Sequence, residues 1–278
     1  DCSNAAFTGS STVYGSTCTV TADSTPTVLV AAETFNDATG NDNSVSNTYT
    51  WTQDDTGPTM TITSDTVASG ATTATAAVVL IYTSNEVTTD FVLADITVTD
   101  CSNAAFTGSS TVYGSTCTVT ADSTPTVLVA AGAFNDATGN DNSVSNTYTW
   151  TQDDTGPTMT ITSATVSSGA TTGTAAAALV FTSNEATTDF AAADITASSC
   201  TLGTFAATSS TVYTDTCTPS DGATASVLVA AETFNDALGN DNTVSNTYTW
   251  TYDGTGPTMT ITSATVSSGA TTGTAAVA

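Results

Sequence analysis

The chain contains no lysine, arginine or histidine, while its 26 aspartates and glutamates give it a formal charge of −26. Nothing in it can neutralise a phosphate, which excludes nucleic acid and anionic membrane as partners unless a metal ion intervenes. Without histidine or lysine there is no ordinary serine or cysteine triad, no Schiff base and no phosphate-binding lysine. The missing lysine also rules out lysine–asparagine isopeptide cross-links. Two carboxylates alone can hydrolyse a glycoside, but every candidate carboxylate recurs in each repeat, and arrays of repeats serve as spacers. The expectation is therefore that the chain is not an enzyme. Charged residues make up only 9% of it, so threonine, serine and asparagine must carry most of the solvent-facing surface. No segment has a convincing helical period, and no apolar run is long enough to insert into a membrane.

What is present is repetition. The word Ser-Asn-Thr-Tyr-Thr-Trp-Thr recurs at Ser46, Ser145 and Ser245, each time followed by Thr-Gly-Pro-Thr-Met-Thr-Ile-Thr-Ser. A period of about 100 residues is too long for a solenoid repeat and fits a small domain that buries its own core. If each unit starts at Thr-Gly-Pro, residues 56–155 and 156–255 are complete repeats. Residues 1–55 are then the C-terminal part of one repeat, and 256–278 the N-terminal part of a further one. The two partial pieces together lack the stretch matching Ile81 to Thr99, so the expectation is a window from a longer array. The rival reading is that identical chains complete one another by strand donation in a fibre.

The six cysteines fall as one pair per repeat with no Cys-x-x-Cys motif, which reads as the disulfides Cys2–Cys18, Cys101–Cys117 and Cys200–Cys217. Such bonds place the protein in an oxidising compartment, extracellular or on the cell surface. Within 56–155 the apolar residues alternate. Met60 and Ile62 form a short first strand, and Ala76 to Tyr82, apolar on both faces, is expected to be central and well covered. Phe91 to Thr99 follows as a third strand, then strands near Phe106, Val112 to Val119, Thr126 to Val129 and Val144 to Trp150. About seven short strands separated by Gly, Asn, Asp and Ser turns predict an all-β fold, a linear array of tandem immunoglobulin-like β-sandwich domains. Phe35, Phe134 and Phe234 each precede an acidic loop and are read as its anchors. Tyr148 and Trp150 are read as core or junction packing.

The runs TGPTMTITS, TSNEATTDFAAADIT, TVYTDTCTPSDG and VLVAAETFNDALGNDN resemble the bacterial Ig-like domains that occur in tandem in large surface and secreted, adhesin-type proteins. The cysteine pair departs from that pattern. The resemblance implies a stalk or adhesin-like role outside the cell, with calcium between domains.

The sandwich order brings three acidic segments of 56–155 to one pole. These are the linker Asp54-Asp55, the loop Ser84-Asn85-Glu86, and the loop from Asn135-Asp136 to Asn140-Asp141-Asn142. The next repeat supplies Asp153, Asp154, Glu185, Asp236, Asn240 and Asp241. The Gly-Asn-Asp-Asn loop alone needs no explanation beyond its turn residues. Several carboxylates converging with no cationic side chain would repel one another, and hard oxygen ligands of this kind suit calcium. The spacing is not that of an EF-hand. Asp253-Gly254 replaces the aspartate pair before 256–278 and should weaken that site.

These observations support an extracellular structural stalk or fibre segment of disulfide-stapled Ig-like repeats, rigidified by interdomain calcium, its partners being neighbouring repeats of the same protein. Two other readings stand beside it: an adhesin module binding cell-surface glycans, and a self-assembling filament subunit in which identical chains exchange strands.

Overall fold

The computed structural model describes residues 2–187 and 189–273. Asp1, Thr188 and the last five positions of the 256–278 piece lie outside the described residues. The chain divides into two compact units, residues 1–154 and 155–278, so the division falls one residue before the repeat boundary read from the sequence.

In the first unit, residues 56–154 form a two-sheet sandwich. One sheet pairs Met60–Thr63 with Ala77–Thr88 and that strand with Ser102–Thr118, all antiparallel. The other orders Ile96–Thr99, Thr126–Val129 and Tyr148–Thr149. Thr151–Gln152 runs parallel to Thr72–Thr73. The period-two pattern decides which side chains meet: Val78, Leu80 and Tyr82 point inward and are fully buried. They pack with Met60, Ile62, Tyr113, Val127, Val129, Phe134, Tyr148 and Trp150. Burying each such side chain stabilises the fold by about 1.5–3 kcal/mol. Phe91 sits at the hub of the aromatic cluster, its ring centroid 5.0 Å from those of both Tyr113 and Phe134.

Three expectations need correction. The strand read as Val144 to Trp150 is Tyr148–Thr149 and does not begin at Val144, because the side chains of Ser145 and Asn146 bond the N–H groups of Val129 and Ile62 there. The strand that includes Ala76 to Tyr82 is central but not covered on both faces, for Val79 on its outer face is 46% exposed. The second apolar face reflects the β-propensity of branched side chains and not a third layer. The stretch Phe91 to Thr99 is not one strand either. Leu93–Asp95 make a single 3-10 turn, stabilised by the Val92 N–H donating to Asp95 Oδ2 at 2.7 Å, and the strand begins at Ile96.

The long strand Ser102–Thr118 folds back on itself. Its flanking cysteines, 16 positions apart, would stand about 50 Å apart in an extended chain. Their Cα atoms are instead 5.7 Å apart, joined by the Cys101–Cys117 disulfide. Just before the reversal Gly108 lies against the facing arm, and its φ of +116° and distance to the Val112 carbonyl leave no space for a Cβ. Cys2–Cys18 and Cys200–Cys217 are the other two disulfides, as the spacing predicted. Each loop closure is worth about 3 kcal/mol against the unfolded chain.

The second unit repeats the architecture. Met159–Ser163, Ala177–Ser183, Val212–Pro219 and Cys200–Leu202 form one sheet, and Thr171–Thr172, Tyr248–Tyr252, Thr224–Val229 and Ile195–Ser198 the other. Its core differs at one polar contact. In the first unit the Tyr82 hydroxyl and Ser115 Oγ, both buried, are hydrogen-bonded at 2.9 Å. The second unit has Phe181 and Asp215 in those places. Asp215 is 3% exposed; its Oδ1 accepts the N–H groups of Thr216 at 2.7 Å and Gly203 at 3.0 Å, but Oδ2 has no partner. An unsatisfied buried carboxylate oxygen is destabilising. Restoring the other unit's pair with Phe181→Tyr and Asp215→Ser together should stabilise the second unit by about 1–3 kcal/mol in denaturant unfolding. An unchanged or lowered midpoint would contradict that account.

Candidate metal centre

The loop after Phe134 is built from its own side chains. Asn142, 2% exposed, accepts the N–H groups of Ala133 and Phe134 on Oδ1 and donates through Nδ2 to the carbonyls of Ala130 and Ser143. Asp136 organises the tip. Its Oδ1 accepts the N–H groups of Thr138, Gly139 and Asn140 at 2.7–2.9 Å, and its Oδ2 accepts Asn140 Nδ2 at 2.9 Å. Gly139 takes φ +93° there, the left-handed turn that glycine allows without strain. Asn135 closes the base, donating through Nδ2 to Asp141 Oδ1 and through its N–H to both oxygens of Asp90.

Two further segments reach this loop. Asn140 Nδ2 also donates to the Asp54 carbonyl at 3.1 Å, which ties the linker to the loop tip. Gly57 packs so closely on the Asp141 carbonyl that a Cβ there would lie 1.8 Å from the oxygen. The glycine of Thr-Gly-Pro is thus demanded by close backbone approach. The Glu86 strand end is fixed by Thr88 bridging to Asp136, and Asn85 Nδ2 donates to Glu86 Oε1 at 3.0 Å.

These constraints bring carboxylate oxygens of Asp54, Glu86 and Asp136 within 4.8 Å of one another, Asp136 buried and the other two half-buried. Two oxygens bound to one calcium ion at about 2.4 Å lie at most about 4.8 Å apart. The oxygen-only donor set therefore fits calcium in both chemistry and spacing. Of the other residues read from the sequence, Asn140 lies on the cluster as a hydrogen-bond donor, and Asp141 is committed to Asn135. Asp55 is turned to the 1–55 piece, its N–H donating to Asp23 Oδ1 at 2.8 Å, and the facing Asp23 carboxyl pushes its own carboxyl up. Asp154 meets Asp122 in the same way. Asp153 also belongs to the first unit, its N–H donating to the Thr73 carbonyl.

In the second unit the Asp236 carboxylate gathers the N–H groups of Leu238 and Asn240 and the Nδ2 of Asn240, Asp241 accepts from Asn235, and Asn184 Nδ2 donates to Glu185. Where Gly254 replaces the second linker aspartate, Asp221 takes the Gly254 N–H and the Thr255 hydroxyl, and these bonds lower its pKa. Sequence reasoning placed Asn142 in the acidic loop but not its bracing role, and missed Asp90, Asp23 and Asp122. The repetition of Asn-Asp-Asn in every copy was the one signal pointing to Asn142.

Antiparallel sheets of this order, with the cysteine-closed hairpin on one sheet, define an immunoglobulin-like sandwich. Residues 153–252 match the family model described as a bacterial Ig-like domain. No curated protein matches the sequence. Among solved structures, InvD of Yersinia pseudotuberculosis is similar at 16% identity and a TM-score of 0.33, with 76% of this chain and 65% of that chain covered.

Burial pushes the Asp136 carboxyl up, but hydrogen bonds from the N–H and Nδ2 of Asn140 and from Thr138 outweigh it and hold it at about 2, against an ordinary 3.8. A depressed folded pKa means that the ionised carboxylate stabilises the loop above the ordinary value and that this contribution fades as pH falls through about 2. In calcium-free buffer, carbon-detected titration of Asp136 should give a midpoint near 2. A midpoint at the ordinary value would mean that the tip is not organised by this carboxylate.

Proposed function

We propose that the chain is a structural segment of an extracellular or cell-surface protein, a stalk of disulfide-stapled Ig-like repeats whose junctions are stiffened by calcium. The observation that carries the reading is the convergence of Asp54, Glu86 and Asp136 from linker, strand end and loop. An ion held by all three would tie the linker to the following sandwich and restrict its bending. The three disulfides suit an oxidising, extracellular setting. Absence of every cationic side chain leaves little for catalysis to use, so the role is non-enzymatic. The sequence repeats the same acidic residues one copy later, so stiffening would recur along an array.

Calcium titration calorimetry on the whole chain tests the reading. Asp54→Asn and Glu86→Gln should each weaken binding about tenfold or more, since each removes one carboxylate from the ion. Gly57→Ala, which displaces the linker without touching a ligand, should weaken it as well. Scattering profiles recorded with calcium and with chelator should differ. Absence of calcium binding at millimolar concentration would leave the acidic loops as turns and remove stiffening from the mechanism.

A further inference from the structure

On the first unit, lined by none of the clustered carboxylates, a groove of about 430 Å³ opens between the strand end at Val87–Thr89 and the hairpin turn at Gly108–Ser110. That volume lies within the range of small-molecule sites, about 300–1,000 Å³. Its floor is aromatic. Phe91 and Tyr113 are buried, while Phe106 is half-exposed, stacked on Tyr113 at 5.7 Å and 15° and set edge-on to Phe91. The Tyr113 hydroxyl bonds to Thr88 and to the Ser110 carbonyl, which holds the two walls at a fixed separation. The rim carries the hydroxyls of Thr89, Ser109 and Ser110, all exposed and making no hydrogen bond among the described residues. None of the nine lining residues is charged.

The second unit provides an internal comparison. Phe205 and Tyr213 stack with the same geometry, 5.7 Å and 15°, although the chain between them is one residue longer. There part of the rim is bonded within its own turn. Ser209 Oγ accepts the N–H groups of Thr211 and Val212, and Thr208 Oγ1 donates to the Val212 carbonyl. Val87, too, is replaced by Ala186. The aromatic floor is therefore common to both folds, while the turn hydroxyl left open at Ser109 is committed at Ser209.

We infer that this groove is a binding site for a neutral pyranose. An apolar ring face flanked by unpaired hydroxyls matches a sugar, which offers a C–H face on one side and hydroxyls around its edge. Charge selects within that class. A chain of net charge −26 with no cation repels uronic and sialic acids, and an uncharged groove gives them no partner. The inference goes beyond the stalk reading and stands or falls without it, since none of the lining residues belongs to the calcium cluster.

Saturation-transfer NMR on the whole chain tests it, with the methyl glycosides of glucose, galactose and mannose, N-acetylglucosamine, and glucuronate as the anionic probe. At least one neutral sugar should receive saturation and glucuronate should not. Ser109→Trp, which fills the groove from the turn, should reduce the effect about tenfold. Ser209→Trp in the second unit should leave it unchanged. Thr89→Trp on the opposite wall repeats the test should the turn variant misfold, with the melting temperature as the check. The proposal is overturned if no neutral sugar responds, if glucuronate responds equally, if both filling variants bind as well as the parent, or if an apolar peptide binds where sugars do not.

Discussion

Each carboxylate in this chain must find its partners among N–H groups, hydroxyls and amides, or else hold an ion from solution, because the chain supplies no cation. That constraint orders much of the structure around the acids. Asp136 and Asp236 are wrapped by the N–H groups of their own loops, Asp90 and Asp189 by the N–H groups of Asn135 and Asn235, and Asp95 and Asp194 each accept the N–H of the residue just before their 3-10 turn. Backbone donors of this kind favour the ionised form. Some acids nevertheless face one another: Asp54 with Glu86 and Asp136, and Asp55 with Asp23. The first arrangement is the one that the proposed calcium ion would answer.

The same constraint explains why one buried acid stands out. Asp215 lies on the inward face between Tyr213 and Cys217, where alternation in the strand gives it no route to solvent. Its counterpart Ser115 spends its hydroxyl on Tyr82. The two units thus hold the same core volume with two different polar arrangements, one closed by a hydroxyl pair and one left open at a carboxylate oxygen. The difference is local. Flanking residues Phe190, Tyr213 and Phe234 keep the ring distances of Phe91, Tyr113 and Phe134 to within 0.1 Å.

Much of this was legible in the residues. Repetition with a period of about 100 residues set the expected length of a sandwich, and paired cysteines without Cys-x-x-Cys gave the three disulfides, because a recurring pair in each copy has one economical partner choice. Period-two alternation found most strands. It failed at Val79, since a branched residue suits an exposed strand face as well as a buried one. It failed again at Leu93–Asp95, where Asp95 caps a turn by a side-chain bond that no apolar pattern reveals. Convergence of the acidic segments followed from sandwich topology, but which acids meet did not. Asp55 and Asp141 are neighbours in sequence of Asp54 and Asn140, and only the backbone direction set by Gly57 and the Asn135 bridge turns them elsewhere.

Residues 1–55 and 100–154 offer a natural separation of local from tertiary structure. They differ in sequence only at Glu33 and Thr34, matched by Gly132 and Ala133, yet Phe35 is 60% exposed and Phe134 1%. Tyr14 and Tyr49 are likewise exposed where Tyr113 and Tyr148 are buried. The strands supplied by 60–63 and 77–88 account for that difference, since they form the opposite wall of the 56–154 core. The loop does not need them. Asn43 accepts the N–H groups of Thr34 and Phe35 just as Asn142 accepts those of Ala133 and Phe134, and Asp37 gathers Thr39 and Asn41 as Asp136 gathers Thr138 and Asn140. Its carboxyl is also held well below the ordinary range by those bonds. One ligand of the proposed ion is thus presented by a locally encoded turn, already ionised and fixed before the sandwich contributes anything. The other two are not local: Glu86 is delivered by the central strand and Asp54 by the linker that Gly57 presses onto the loop. Binding of the proposed ion would therefore report on whether linker and sandwich are docked, and by linkage the ion would favour the docked form. A junction built as proposed would stiffen only when both a folded domain and the ion were present.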